Sequence, residues 1–150
     1  MDLQKGTFSL CGLEFGPATT AHQVYDTLRN KLQGTLLPEG TGVLRLRDPL
    51  PQGEIYWRVE LDFQQDRPQR AMLWPLLPDA PASRKEAEAV RRVFCDEQLR
   101  KALGEPDWHT DGCTLYRRPY GTACAISEQD PRGAASLGCL VLTYDGGEGR

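Results

Sequence analysis

Ile55-Tyr56-Trp57-Arg58-Val59-Glu60-Leu61-Asp62-Phe63 is the stretch that decides how this chain folds. Its odd positions are all apolar, and Tyr56, Arg58, Glu60 and Asp62 stand between them. Side chains alternate faces along a strand, so this pattern predicts a β-strand with one buried face and one wetted face. Asp66-Arg67-Pro68 breaks it. Arg70 to Leu77 predicts a second strand, with Pro75 implying an edge position or an early end. Their proximity makes the pair an antiparallel hairpin.

Working back toward the N-terminus, Phe8 and Leu10 share one parity, Leu13 and Phe15 the other, and the phase changes at Cys11-Gly12. A slip with a glycine at the break predicts a β-bulge or a short strand followed by a turn. Thr20-Ala21-His22-Gln23 is a Thr-x-x-Gln capping box, so a helix should begin there. Val24, Tyr25, Leu28 and Leu32 recur at helical spacing, and Gly34 supplies a stop. Val43 to Arg47 is short and β-like, and Asp48 to Gly53 has a turn signature.

Toward the C-terminus, Pro78 to Pro81 reads as a rigid connector, and Ser83-Arg84-Lys85-Glu86 as a second capping box. The helix it opens carries an apolar stripe of Ala87, Val90, Phe94, Cys95, Leu99, Ala102 and Leu103, and Gly104 closes it. A further hairpin is predicted from Thr114 to Ser127 and from Leu137 to Tyr144, joined by Glu128 to Gly133. Leu140-Val141-Leu142 is apolar on both parities, which predicts a central strand or one covered on both faces. The order β, α, β, β, β, α, β, β defines an α+β single domain over residues 1–145, with 146–150 a disordered tail. The expected architecture is a mainly antiparallel sheet of about five to six strands with two helices on one face.

With 150 residues, 39% hydrophobic and 26% charged, a net charge of -3 and no apolar run of membrane length, the composition is that of a soluble globular domain. The expected location is the cytoplasm, or outside it if a leader has been removed. The charge balance offers no concentrated basic face for nucleic acid. The 15 glycines and 11 prolines fall almost entirely between the periodic segments and punctuate them. Five cysteines, Cys11, Cys95, Cys113, Cys124 and Cys139, show no Cys-x-x-Cys spacing, and only two histidines are present. That argues against a zinc site and for free thiols in a reducing compartment. In an exported protein, Cys113 and Cys139 are the candidates for a bridge.

No phosphate-binding glycine loop or Gly-x-Ser-x-Gly elbow occurs. The residues that catalysis could draw on are His109 with Cys113, and the Glu60/Asp62 pair on the wetted strand face. Glu60 and Asp62 beside Arg58 read better as cross-strand salt bridging, and His22, inside the first capping box, as a solvated or packed side chain. Arg84, Lys85, Arg91 and Arg92, interrupted by acids, read as a solvated helix face. No catalytic residue, cofactor site or metal site is therefore expected. The aromatics carry more. Tyr56 points away from the core parity, Trp74, Tyr116 and Tyr120 lie on strands whose two faces cannot both be filled, and Arg58, Arg117 and Arg118 accompany them. Helices on one side leave the other sheet face open, and Tyr, Trp and Arg are enriched at protein interfaces. Tyr56, Arg58, Trp74, Tyr116, Arg118 and Tyr120 are the expected partner-binding set. The competing account packs these rings in the core.

Gly16-Pro17-Ala18-Thr19-Thr20-Ala21-His22-Gln23-Val24-Tyr25-Asp26-Thr27-Leu28, with Leu103-Gly104-Glu105-Pro106, resembles the Gly-x-Thr-x-x-x-Val-x-x-x-Leu and Leu-Gly-x-Pro signals of β-lactamase inhibitor protein-like modules and small outer-membrane lipoproteins. The resemblance implies a helix-plus-antiparallel-sheet module that binds other proteins through its sheet. It covers about a tenth of the chain. Here predicted strands intervene between the two signals, and neither a lipobox nor the paired cysteines appear. The expected function is a non-enzymatic protein-binding domain of bacterial type: an interaction, inhibitor or immunity-like protein using an open sheet face. The alternatives are a small-molecule-binding or enzymatic domain with a cavity between helices and sheet, and a structural homodimer. The expected partner is a protein or a second copy, with no nucleic acid and no membrane span.

Overall fold

The parity change at Cys11-Gly12 is a two-residue turn. Both residues have positive φ, 52° and 92°, and they join β1 (Phe8–Leu10) to β2 (Leu13–Phe15) as a tight hairpin. Phe8 stands opposite Phe15 and Leu10 opposite Leu13. The two sequence parities thereby fold onto one face. The structure is a computed structural model and describes residues 1–78, 83–127 and 138–145. Most of the Pro78–Pro81 connector, the Glu128–Gly133 turn, Leu137 and the 146–150 tail lie outside the described residues.

α1 (Ala21–Leu28) begins where its capping box predicts, with the Thr20 side chain accepting from the Gln23 amide and Gln23 Oε1 accepting from the Thr20 amide. It ends earlier than expected. A 3-10 turn (Arg29–Lys31) leads into β3 (Leu32–Leu36), so Leu32 and Gly34 belong to a strand rather than to a helix and its stop. Gly34 has φ 111°, and a Cβ there would run into the Val43 carbonyl of the adjoining strand. Close strand approach, rather than helix termination, is what requires the glycine.

β4 (Gly42–Leu46) and β5 (Leu50–Gln52) then pair in succession along one edge of β6 (Ile55–Gln64), which pairs on its other edge with β7 (Arg67–Leu76). α2 (Arg84–Leu103) crosses to β8 (Trp108–His109), β9 (Cys113–Arg118), β10 (Gly121–Ile126) and β11 (Cys139–Tyr144). The sheet order is β3-β4-β6-β7-β11-β10-β9-β8, with β5 also on β6 and every pairing antiparallel. The described chain is thus α+β with two helices, but its eleven strands, nine of them in one sheet, replace the expected five to six. The difference has local causes. The Asp48–Gly53 turn holds β5, the strand expected over Thr114–Ser127 folds back at Pro119-Tyr120 into β9 and β10, and Trp108-His109 adds β8.

β7 is central, not an edge strand. Its prolines survive there because Pro75 lies beyond the last residue that pairs with β11, and Pro68 lies just past a register shift against β6 at Asp62/Phe63. β11 is central too, between β7 and β10, as its double-parity apolar run predicts. Trp57, Val59, Leu61, Phe63, Leu73, Leu140 and Leu142 share one face and form the main core with Phe8, Phe15, Val24, Cys95 and Leu99 from the hairpin and helices. α2 buries Cys95 and Leu99 of its expected stripe and packs Phe94 and Leu103 against the core, but Val90 is exposed and Arg92 faces inward instead. The reason is Arg92, only 6% exposed, whose guanidinium is held by Asp96 on its own helix, by Thr114 of β9, and by Asp111 and Ser127 beside the β8–β10 edge.

Candidate functional site

Antiparallel register lays the second sheet face out in rows. Glu60 stands opposite Met72, Met72 opposite Val141, Val141 opposite Cys124, Cys124 opposite Leu115 and Leu115 opposite Trp108. One step away lie Arg58 opposite Trp74, and Ile126 opposite both Cys139 and Cys113. Met72, Cys124, Cys139 and Val141 form a small core of their own, with Trp74, Cys113, Leu115 and Ile126 packed around it. Neither helix nor the β1–β2 hairpin packs on this face, since their buried residues join the main core. At the two flanks of the band stand Tyr56 and Trp108, each 57% exposed. The β6 flank is charged: Arg45 Nε lies 2.6 Å from Glu60 Oε1, and Arg70 Nη2 lies 3.8 Å from Asp62 Oδ2. Glu60 and Asp62 are therefore tied to arginines directly opposite them on β4 and β7. Arg58 and Arg117 on the same face have no ion pair among the described residues.

Of the six expected partner-binding residues, the structure brings together Tyr56, Arg58 and Trp74. Tyr116, Arg118 and Tyr120 are elsewhere. Tyr116 is fully buried on the helix side, and its hydroxyl donates to the Gly104 carbonyl at 2.8 Å, fastening the end of α2. Arg118 lies over the Tyr116 ring and donates to the Leu103 carbonyl. Tyr120 sits in the β9–β10 turn, donating to the Leu3 carbonyl at 2.8 Å. These three hold chain ends and caps; Tyr116 is buried in the core, and Tyr120 is partly buried against it. Trp108 was not among the expected residues because a two-residue strand offers no periodicity to place it.

The proposed chemical groups do not converge. His109 Nδ1 lies 2.9 Å from Thr114 Oγ1 on the helix side, while Cys113 is on the opposite face. Glu60 and Asp62 are four strands away from Cys113. Arg92, expected on a solvated helix face, donates to Asp96 Oδ2, the Asp111 carbonyl, Ser127 Oγ and Thr114 Oγ1, at 2.7 to 3.1 Å. It is a pin between α2 and the β8–β10 edge. His22, expected to be solvated or packed on a neighbour, is half-exposed and rests on one: its Nδ1 lies 2.7 Å from Asp66 Oδ1. All five cysteines are free thiols. Cys113 and Cys139 both neighbour Ile126 from opposite sides, so a strand separates them by about 10 Å, too far to bridge. Burial pushes the Cys124 thiol up to about 11 and the Cys139 thiol up to about 12. Neither is a nucleophile at neutral pH. Among the described residues no three His, Cys, Asp or Glu side chains cluster as metal ligands do, and no helix is long and apolar enough to cross a membrane.

A cavity of about 620 Å³ opens at the other end of the fold, where the loop before α1 meets the β6–β7 turn, the β9–β10 turn and the residue following β11. None of His109, Cys113, Glu60 or Asp62 lines it. No family model, curated protein or solved structure matches this chain.

Proposed function

We propose that this is a non-enzymatic protein-binding domain whose recognition surface is the helix-free face of the nine-stranded sheet. The observation that carries the reading is the pair of exposed aromatics, Tyr56 and Trp108, that flank the buried Met72, Cys124, Cys139 and Val141 cluster, together with Arg58 and Arg117, which have no ion pair among the described residues. Aromatic and arginine side chains concentrate binding energy at interfaces. Strands hold them on a rigid platform, so little conformational entropy is lost on docking. The partner that fits is a folded protein presenting apolar side chains ringed by carboxylates, which the two arginines would pair at the rim. An inhibitor or immunity-like role is one form such binding takes, and the resemblance of the Gly16–Leu28 and Leu103–Pro106 segments implies binding through the sheet.

The test places a photo-cross-linking residue at position 56 or 108, with position 93 on the exposed outer side of α2 as control. The reading expects one protein, different from this chain, cross-linked from 56 and 108 but not from 93. Equal cross-linking from all three positions overturns it. So does cross-linking to a second copy alone, which makes the face a homodimer interface.

A further inference from the structure

The geometry points to the 620 Å³ cavity as a binding site for a small organic cation, an ammonium or guanidinium on an apolar stem. It lies within the range of small-molecule sites and is independent of the sheet-face reading. A helix N-terminus ordinarily offers free N–H groups to an anion. Here they are spent. The Ala21 amide donates to the Asp66 carbonyl, the His22 amide to Asp66 Oδ1 at 3.0 Å, and the Gln23 amide to Thr20 Oγ1 at 3.1 Å. The hydroxyls of Thr19 and Tyr120 are committed as well. Thr19 Oγ1 accepts from the Gly16 amide and donates to the Glu14 carbonyl, and the Tyr120 hydroxyl donates to Leu3.

What the wall still offers is acceptors. Asp66 uses only Oδ1 in the bonds above, and the Asp145 carboxylate joins it in the lining, against the single cation Arg67 among the described lining residues. Pro17, Pro68, Pro119 and the Tyr120 ring supply rigid apolar walls, and the ring is fixed in place by contact with Tyr144, 5.8 Å between centroids. A cation beside an aromatic ring and two carboxylates is favoured there, while an anion meets the like charge of Asp66 and Asp145.

Titration of ¹⁵N-labelled protein with phenethylammonium, and separately with phenylacetate of the same shape and opposite charge, tests this. The ammonium should move the amides of Thr20, Asp66, Tyr120 and Asp145 saturably, with a Kd below about 1 mM, and phenylacetate should not. Asp145→Asn should weaken the ammonium about tenfold while leaving the fold's spectrum intact. Three results overturn the assignment: no saturable shift with the ammonium, equal binding of both ions, or shifts that map to the open sheet face. Wild-type discrimination between the two ions decides the matter even if Asp145→Asn fails to fold.

Discussion

His22 and Asp66, 44 residues apart in the chain, are joined twice: Asp66 Oδ1 accepts the His22 amide at 3.0 Å and lies 2.7 Å from His22 Nδ1. The β6–β7 turn thus caps α1 from outside, adding to Thr20. Asp66 has φ 67°, a conformation that asparagine and aspartate tolerate better than other side chains, and its amide donates to the Gly40 carbonyl. Asp66→Ala should destabilise the protein by about 2 kcal/mol through lost capping and backbone strain. Asp66→Asn retains an Oδ1 acceptor and should cost less than about 1 kcal/mol. His22→Ala leaves the main-chain bond and should cost less than Asp66→Ala. Urea unfolding midpoints of the three variants check the order.

Tyr116 gives a sharp separation between holdfast and interface. Tyr116→Phe removes the bond to the Gly104 carbonyl and should cost about 1 kcal/mol without touching partner binding. Tyr56→Ala, at an exposed position, should do the reverse. Thermal melts and binding measured on the same two variants check both halves.

Arg92→Ala should be among the most damaging single changes on α2, costing about 3 kcal/mol, because Asp96 and the buried Thr114 hydroxyl lose the guanidinium they share. Replacing the neighbouring exposed Val93 with Ala should cost less than about 0.5 kcal/mol. Chemical denaturation of the pair reads the contrast.

This contrast also marks where sequence periodicity stops informing. The Ile55–Phe63 alternation, the Thr20 capping box and the central place of Leu140-Val141-Leu142 were legible because each depends on neighbours within one element. The inward turn of Arg92 was not, since its partners Asp111, Thr114 and Ser127 come from other segments that only the fold assembles. Likewise the common face of three of the six aromatic and arginine residues was legible. Tyr56, Arg58 and Trp74 alternate along two long strands, whereas the faces of Tyr116, Arg118 and Tyr120 depend on a reversal at Pro119 that lies inside one continuous β-prone run.

Stability should fall on the alkaline side. Burial raises Cys124 to about 11 and Cys139 to about 12 from an ordinary value of 9.0. Their protonated forms are favoured by folding, so this contribution is complete below pH 9 and is lost as pH rises through the folded values. The expected slope is about 1 kcal/mol per pH unit for each thiol between about pH 9.5 and 11. At pH 8 a thiol reagent should modify exposed Cys11 rapidly, and Cys95 and Cys139 only as fast as the protein unfolds. Denaturant midpoints at pH 8 and 10.5, with peptide mapping of labelled sites, check both.

In the proposed function, the sheet face opposite the two described helices binds a protein partner through its exposed aromatic flanks, Tyr56 and Trp108. The direct measurement is the calorimetric affinity of the Tyr56→Ala/Trp108→Ala double variant for the protein cross-linked from position 56, set beside the wild-type value. The account predicts a loss of at least about a hundredfold with the melting temperature unchanged, as expected for anchors that contribute to binding and little to the fold. An affinity equal to wild type contradicts it.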